Sequence, residues 1–240
     1  MKCLVIAAGQ GTRLRGLAPS KPLAELHGAP LLEHVLRSAK AGGASEFVVV
    51  TGYEALRVEA VLPDLAERIG ASIEAVRNPD WRRPNGLSVL AAAPRLAGDF
   101  VLLMSDHLFD PAILSSLVAG RRPEAALTLA ADPDVANPRL DLDDATKLRL
   151  DAAGRIAAIG KTLADYNAID TGIFLATPAL FGAIEARVAA GGTGSLSEGV
   201  ERLAKDGRAW GFDTGGRWWL DVDDEPAFRR AEAELPREPA

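Results

Sequence analysis

The chain is poor in the residues that most often carry chemistry on their own. Its 240 residues include one cysteine and three histidines. A single Cys3, set in an apolar run, excludes a disulfide framework and a cysteine-based zinc site. No Cys–His or Ser–His nucleophilic constellation is evident. Positive charge is in deficit: 27 Lys and Arg against 33 Asp and Glu give a net charge of −6 and a pI near 5.2. Nucleic acid and anionic membrane surfaces select for the opposite balance, so neither is expected as a general partner. No apolar run approaches the roughly 20 residues of a membrane span, and Met1-Lys2 leads straight into a strand-like run rather than a signal peptide. Hydrophobic residues at 48% and charged residues at 25% are the proportions of a soluble globular protein. A chain of this length buries roughly 70% of its unfolded surface and needs no cross-links to fold. The expectation is a cytoplasmic domain acting on a small molecule.

The first half alternates apolar runs with amphipathic stretches. Cys3 to Ala8 reads as a strand buried on both faces, and Phe47 to Thr51, Ile73 to Arg77 and Phe100 to Met104 read as further strands. Helices are predicted near Leu31 to Ala41, Ala55 to Ile69 (split at Pro63) and Leu87 to Ala93. This order implies βαβ units and a parallel sheet between helical layers. The second half has strands at Ala125 to Ala131, Lys147 to Asp151, Arg155 to Gly160 and Ile173 to Ala176, with a turn at Ala152-Ala153-Gly154. Helices near Pro178 to Ala190 and Leu196 to Lys205 precede an expected hairpin of Arg208 to Phe212 with Arg217 to Val222. A last helix runs from Pro226 to Leu235. With no repeat and no low-complexity linker, a single α/β domain over residues 1–240 is expected, its half 121–240 an inserted mixed-β portion.

The most informative stretch is AAGQGTRLRGLAPSKPL, Ala7 to Leu23. Gly9 and Gly11 directly after a buried strand let the backbone approach a ligand and turn its N–H groups toward anionic oxygens. A dinucleotide fingerprint requires a third glycine where Leu14 stands, and no Gly-Lys-Ser/Thr closes the loop as in a P-loop. The full string resembles the nucleotidyltransferases that activate phosphorylated small molecules with an NTP, whose signature is a strand, A-A-G-x-G-T/S-R and a later K-P-L. Within that family the order NGLSVL, MSDH, DATKLRL, IGK, DTGIFL, LSEGV, WLDVDD is most similar to CTP:inositol-1-phosphate cytidylyltransferases.

The resemblance implies a three-layer Rossmann-like fold with a mostly parallel mixed sheet, residues 1–120 binding nucleotide and 121–240 binding acceptor. It implies that Ala7, Ala8, Gly9, Gly11, Thr12, Asn85, Gly86 and Ser88 hold the nucleotide. Arg13 and Lys21 neutralise the triphosphate, and Lys161 meets the acceptor phosphate. Asp106, Asp221 and Asp223 hold Mg²⁺, while His107, Lys147, Asp170, Thr171, Gly172 and Glu198 lie along the acceptor. Ser105 departs from the family, whose members usually have glycine before the metal-binding Asp. The implied partners are CTP, a phosphorylated acceptor and, because many relatives are fused to one, a membrane phosphatidyltransferase that consumes the product; a homodimer is also considered. Other acceptors weighed are phosphocholine or a sugar 1-phosphate with CTP, UTP or GTP, and a non-catalytic nucleotide sensor is the rival class.

The chemistry suits these residue types. A phosphate monoester has a second pKa near 6 and is mostly dianionic at neutral pH, so its attack on an α-phosphorus needs no general base. The obstacle is bringing two polyanions together, which calls for cations and positioning. Arginine grips phosphate bidentately, and lysine is a compact point charge. Lysine is scarce here, six residues against 21 arginines, and three of the six, Lys21, Lys147 and Lys161, fall in these segments. Two residues have simpler expected roles: Ser195 with Glu198 forms a capping box, and Asp224 caps the final helix.

Overall fold

The computed structural model describes residues 1–14 and 16–235; Arg15 and residues 236–240, the tail of the expected second half, lie outside the described residues. The first half comprises β1 (Lys2–Ala7), the small pair β2 (Glu25–Leu26) and β3 (Ala29–Pro30), α1 (Leu31–Ala41), β4 (Glu46–Thr51), α2 (Ala55–Ile69) and β5 (Ser72–Arg77). It continues with α3 (Gly86–Ala91), β6 (Phe100–Met104), β7 (His107–Phe109) and α4 (Pro111–Ala119). The second half holds β8 (Leu127–Asp132), β9 (Lys147–Leu150), β10 (Ile156–Gly160), β11 (Ala168–Ala176), α5 (Ala179–Ala189), α6 (Leu196–Lys205), β12 (Ala209–Asp213), β13 (Trp219–Asp221) and α7 (Glu225–Glu234).

One mixed sheet runs through both halves in the order β10-β9-β11-β6-β1-β4-β5, with β8 on β11 and β12 on β8. Strands β6, β1, β4 and β5 are parallel. β11 joins them antiparallel to β6, carrying the second half into the same sheet. The continuous apolar run of β1 follows from burial on both faces. Cys3, Val5 and Ala7 pack with α1, α2, α4 and α7, while Leu4, Ile6 and Ala8 pack with α3, α5 and α6. Three layers result.

Three expectations are corrected. Pro63 does not split its helix: α2 runs unbroken with Pro63 inside it on the exposed side, while Val58, Leu62, Leu65 and Ile69 are buried. A missing N–H costs least on the solvent face, and one apolar stripe anchors both halves of the helix. The expected terminal hairpin does not form. β12 pairs in parallel with β8, and β13 leaves the main sheet to pair antiparallel with β7. The left-handed Gly215 and Gly216 between them redirect the chain rather than fold it back. Finally, β11 begins at Ala168, so Asp170, Thr171 and Gly172 lie within a strand whose register slips between Asp170 and Phe174. The expected hairpin of β9 and β10 is present, antiparallel around Gly154.

Candidate active site

Parallel pairing of β1 with β6 matches Ile6 with Met104, and the Ser105 N–H extends the ladder to the Ile6 carbonyl at 3.1 Å. The glycine loop and the Asp106-His107 turn therefore emerge side by side at the carboxyl ends of the strands, where open α/β sheets bind ligands. Val222 N–H donates to the Asp106 carbonyl at 2.9 Å, and β13 pairs Asp221 opposite His107. Residues more than a hundred positions apart in sequence thus share one site.

Lys21 sits in a single 3₁₀ turn, Lys21–Leu23, only 7% exposed, and its ammonium ion-pairs with Asp106 at 2.5 Å and with Asp223. Burial alone would lower its pKa, but Asp106 and Asp223 outweigh that and hold it above the ordinary lysine value. Asp106 stays below the usual carboxylate range: burial pushes up, and Lys21 and His107 pull down more strongly. Gly11, at φ +57°, has a structural task beyond backbone freedom, since a Cβ there would lie 2.3 Å from Lys21 Cβ. Gly9 would meet nothing within 4 Å.

Arg13 donates to Asp223 at 2.6 Å and also to Asp144, whose other oxygen receives Lys161. Asp144 therefore joins the glycine loop to the end of β10. It was not singled out from the sequence. The signal lay in the acidic run Asp141, Asp143, Asp144 just before Lys147, unreadable until the fold placed it over Arg13.

His107 has its Nδ1 2.7 Å from the Thr171 carbonyl and its Nε2 3.5 Å from Asp221 and 3.8 Å from Asp106. Asp221 lies opposite with a third of its side chain open to the cavity, yet its Oδ1 is buried with no hydrogen-bond partner. Its carboxyl is pushed up to about 7, chiefly by burial, with His107 opposing and Asp106 and Asp223 adding to the rise. Ligand atoms of Asp106, His107 and Asp221 all lie within 4.8 Å of one another. An orphaned carboxylate oxygen beside a second carboxylate and an imidazole fits a divalent cation. Beneath them Trp219 stacks on His107 with ring centroids 6.2 Å apart and donates its indole N–H to buried Asp132 at 2.8 Å. Asp223, expected as a third metal carboxylate, lies beyond the end of β13 with its oxygens on Arg13 and on the Lys21 ammonium that it shares with Asp106.

Two cavities open onto this centre. One, of about 370 Å³, is lined by Ala8, Gly9, Gly11, Thr12, Lys21 and Ser88, together with Trp81 and Arg83. The other, of about 490 Å³, is lined by His107, Asp144, Lys161, Asp170, Gly172 and Asp221 among others. Arg13, Asn85, Met104, Asp106 and Asp223 line both and form the wall between them.

The other expected residues fall into two groups. Ser88 accepts from Asn78 at 2.9 Å, and Asn85 lines both cavities while its Oδ1 accepts from Leu196 N–H at 3.0 Å. Asp170 receives the Gly172 N–H at 2.7 Å, and burial pushes its carboxyl up to about 6. Several residues instead build the scaffold. Ala7 is buried in the core, and Gly86 is packed so closely that a Cβ would sit 2.3 Å from the Gly194 carbonyl. Thr171 is fully buried with its hydroxyl on the Ala130 carbonyl, so it reaches the site only through its own carbonyl. Lys147 donates to the Lys161 carbonyl at 2.7 Å. Glu198 takes the N–H groups of Thr193 and Gly194 and completes the capping box with Ser195, and Asp224 caps α7 through Ala227 N–H at 2.8 Å.

Residues 3–207 match the model of the MobA-like NTP transferase domain. The chain belongs to that family. This nucleotidyltransferase is 38% identical over 234 residues to a protein of Rubrobacter xylanophilus named bifunctional IPC transferase and DIPP synthase, covering 95% of the chain and 50% of the relative. A protein of the same name from Thermococcus kodakarensis is 33% identical over 238 residues, with 98% and 51% covered. The transferase thus spans about half the length of these curated relatives. Among solved structures, the inositol-1-phosphate CTP transferase from T. maritima superposes with a TM-score of 0.82 at 24% identity, covering 99% of this chain and 98% of that one. At that identity the likeness establishes the fold. No helix among the described residues of the transferase is long and apolar enough to cross a membrane.

Proposed function

We propose that this nucleotidyltransferase moves the cytidylyl group of CTP to inositol 1-phosphate, giving CDP-inositol and pyrophosphate. The observation that carries the reading is the pair of cavities meeting at a wall of Arg13, Asp106 and Asp223. A donor against the glycine loop and an acceptor in the second cavity meet where the cations and carboxylates converge. The choice of cytosine and inositol follows the motif resemblance and the name of the T. maritima protein. Residues 1–120 act as the nucleotide half and 121–240 as the acceptor half. The relatives' names pair two activities, and a second enzyme that consumes the product is part of this proposal.

In the reaction, an oxygen of the acceptor's phosphate dianion forms a bond to the α-phosphorus, and the bond to the bridging oxygen breaks, pyrophosphate leaving with the electron pair. The glycine-loop amides and Thr12 hold the triphosphate, with Lys21 and Arg13 countering its charge. Lys161 draws the acceptor phosphate to the same wall, and Asp170 with the strand around it receives polyol hydroxyls. These groups supply orientation and charge neutralisation, the two things such a transfer needs. Asp106 and Asp221 would hold a divalent ion, for which Mg²⁺ is proposed, and when bound it polarises the α-phosphate.

A panel of CTP, UTP and GTP against inositol 1-phosphate, phosphocholine and glucose 1-phosphate, read by pyrophosphate release, tests the assignment. CTP with inositol 1-phosphate is expected to turn over fastest. Turnover of glucose 1-phosphate without that of inositol 1-phosphate refutes it.

A further inference from the structure

The Thr171 carbonyl can only accept, so the 2.7 Å contact places a proton on His107 Nδ1. Without a cation, burial lowers the His107 pKa, but Asp221 and Asp106 outweigh it and favour the imidazolium. With a cation seated between the carboxylates the ring is neutral and carries its lone pair on Nε2, the atom facing Asp106 and Asp221. The ring is held there from three sides. Gly172 stands at φ +73°, so near that a Cβ would lie 2.4 Å from Nδ1. Trp219 lies across the ring at an interplanar angle of 21°, and the Trp219 indole is itself anchored on Asp132. A histidine oriented through one nitrogen by a backbone carbonyl, with the other aimed at two carboxylates, has the arrangement of a metal-ligating imidazole and its outer-shell partner.

We propose that His107 is the third protein donor of the metal centre and gives it a preference for Mn²⁺ and Co²⁺ over Mg²⁺. The inference rests on reading Asp106 and Asp221 as metal ligands and adds what the third donor does. Mg²⁺ is hard, dehydrates reluctantly and takes carboxylate and phosphate oxygens. An imidazole nitrogen adds affinity for first-row transition ions, rising from Mn²⁺ to Co²⁺. The fixed ring also explains the glycine of the Asp170-Thr171-Gly172 run: its missing side chain is the space the imidazole occupies.

The test uses the full chain with Mn²⁺ alone, without nucleotide. Electron spin echo modulation of bound Mn²⁺ is expected to show one imidazole nitrogen, its pattern changing when the protein is grown on ¹⁵N-histidine. Of the three histidines, His27 and His34 bond to the carbonyls of Leu235 and Leu26 instead, so the signal reports His107 without any substitution. His107→Gln is expected to weaken Mn²⁺ binding at least tenfold, the order seen for perturbed ligand sets, and Mg²⁺ binding by less than threefold. Absence of imidazole coupling, while Asp221→Asn still abolishes Mn²⁺ binding, overturns the proposal and leaves the two carboxylates standing. Equal weakening of both ions by His107→Gln overturns the preference. Mn²⁺ binding that survives both Asp106→Asn and Asp221→Asn overturns this inference and the underlying metal site together.

Discussion

The two glycines of the loop after β1 make a controlled pair, because their surroundings assign them different tasks. At Gly11 a Cβ would stand 2.3 Å from Lys21 Cβ and 2.9 Å from Lys21 Cδ, at a φ of +57°. Gly11→Ala therefore adds a left-handed backbone penalty of roughly 1–2 kcal/mol and an overpacking cost of roughly 1–3 kcal/mol. The Lys21 Cβ is tied to its own backbone and cannot swing away as a side-chain tip would. The sum, roughly 2–5 kcal/mol, corresponds to a fall in Tm of roughly 4–20 °C for a domain of this size. Displacing Lys21 from Asp106 and Asp223 also removes a preorganised cation, for which about a hundredfold loss in turnover is expected. Gly9 has open space, so Gly9→Ala should leave Tm within a few degrees of the parent. Its new methyl projects from a loop that lines the 370 Å³ cavity, so under the proposed function it should weaken CTP binding. Thermal unfolding, CTP titration and pyrophosphate release measured on both variants give the comparison. A Gly11→Ala protein with parental Tm and turnover refutes the packing argument, and a Gly9→Ala protein with parental CTP affinity refutes the cradle.

Three further outcomes follow from the same geometry. Lys21→Met strands the carboxylate of Asp106 and leaves Asp223 to Arg13 alone, and should cost about 3–5 kcal/mol in urea unfolding, far more than an exposed ion pair; a loss under 1 kcal/mol contradicts the buried pairing. Asp221, with its carboxyl pushed up to about 7, binds a proton in the folded state at pH values where an ordinary aspartate is ionised. Metal-free stability should therefore fall as pH rises from about 4 to 7, and divalent affinity should drop about tenfold per unit below pH 7 as protons compete. Calorimetric titration across pH 5.5–8 on the parent and Asp221→Asn checks this, and a flat parental profile contradicts it. Trp219→Phe removes the indole donor to Asp132 and should cost about 1–3 kcal/mol while lowering turnover through the loosened β13; unchanged turnover separates the indole from the positioning of Asp221.

Much of the site was legible because its residues are local and their types are constrained. The apolar run of β1, the glycines after it and the nearby Arg13 and Lys21 form one short segment whose residue types are readable before their distant partners are placed. The pairing of Asp106 with Asp221 followed from the family resemblance, and the structure brings their ligand atoms within 4.8 Å. The strands and helices of the parallel half were also readable, since two-sided burial makes β1, β4 and β6 continuous apolar runs, while β5 at the sheet edge is largely exposed.

Tertiary structure decided the rest, through pairings between distant strands. Trp219–Asp221 reads like half of a hairpin, and only the competition for a partner strand sends it to β7, setting Asp221 opposite His107. Asp223 and Asp221 lie two residues apart, yet the chain leaves the strand between them, so one faces the Lys21 and Arg13 cations and the other the imidazole. Asp144, Thr171 and Gly172 took their roles from what folding placed beside them: two cations, a core carbonyl and a histidine ring. Composition and local pattern determine which elements form and which charges are available. Which carboxylate meets which cation depends on strand register, and register is set by the packing of the whole sheet.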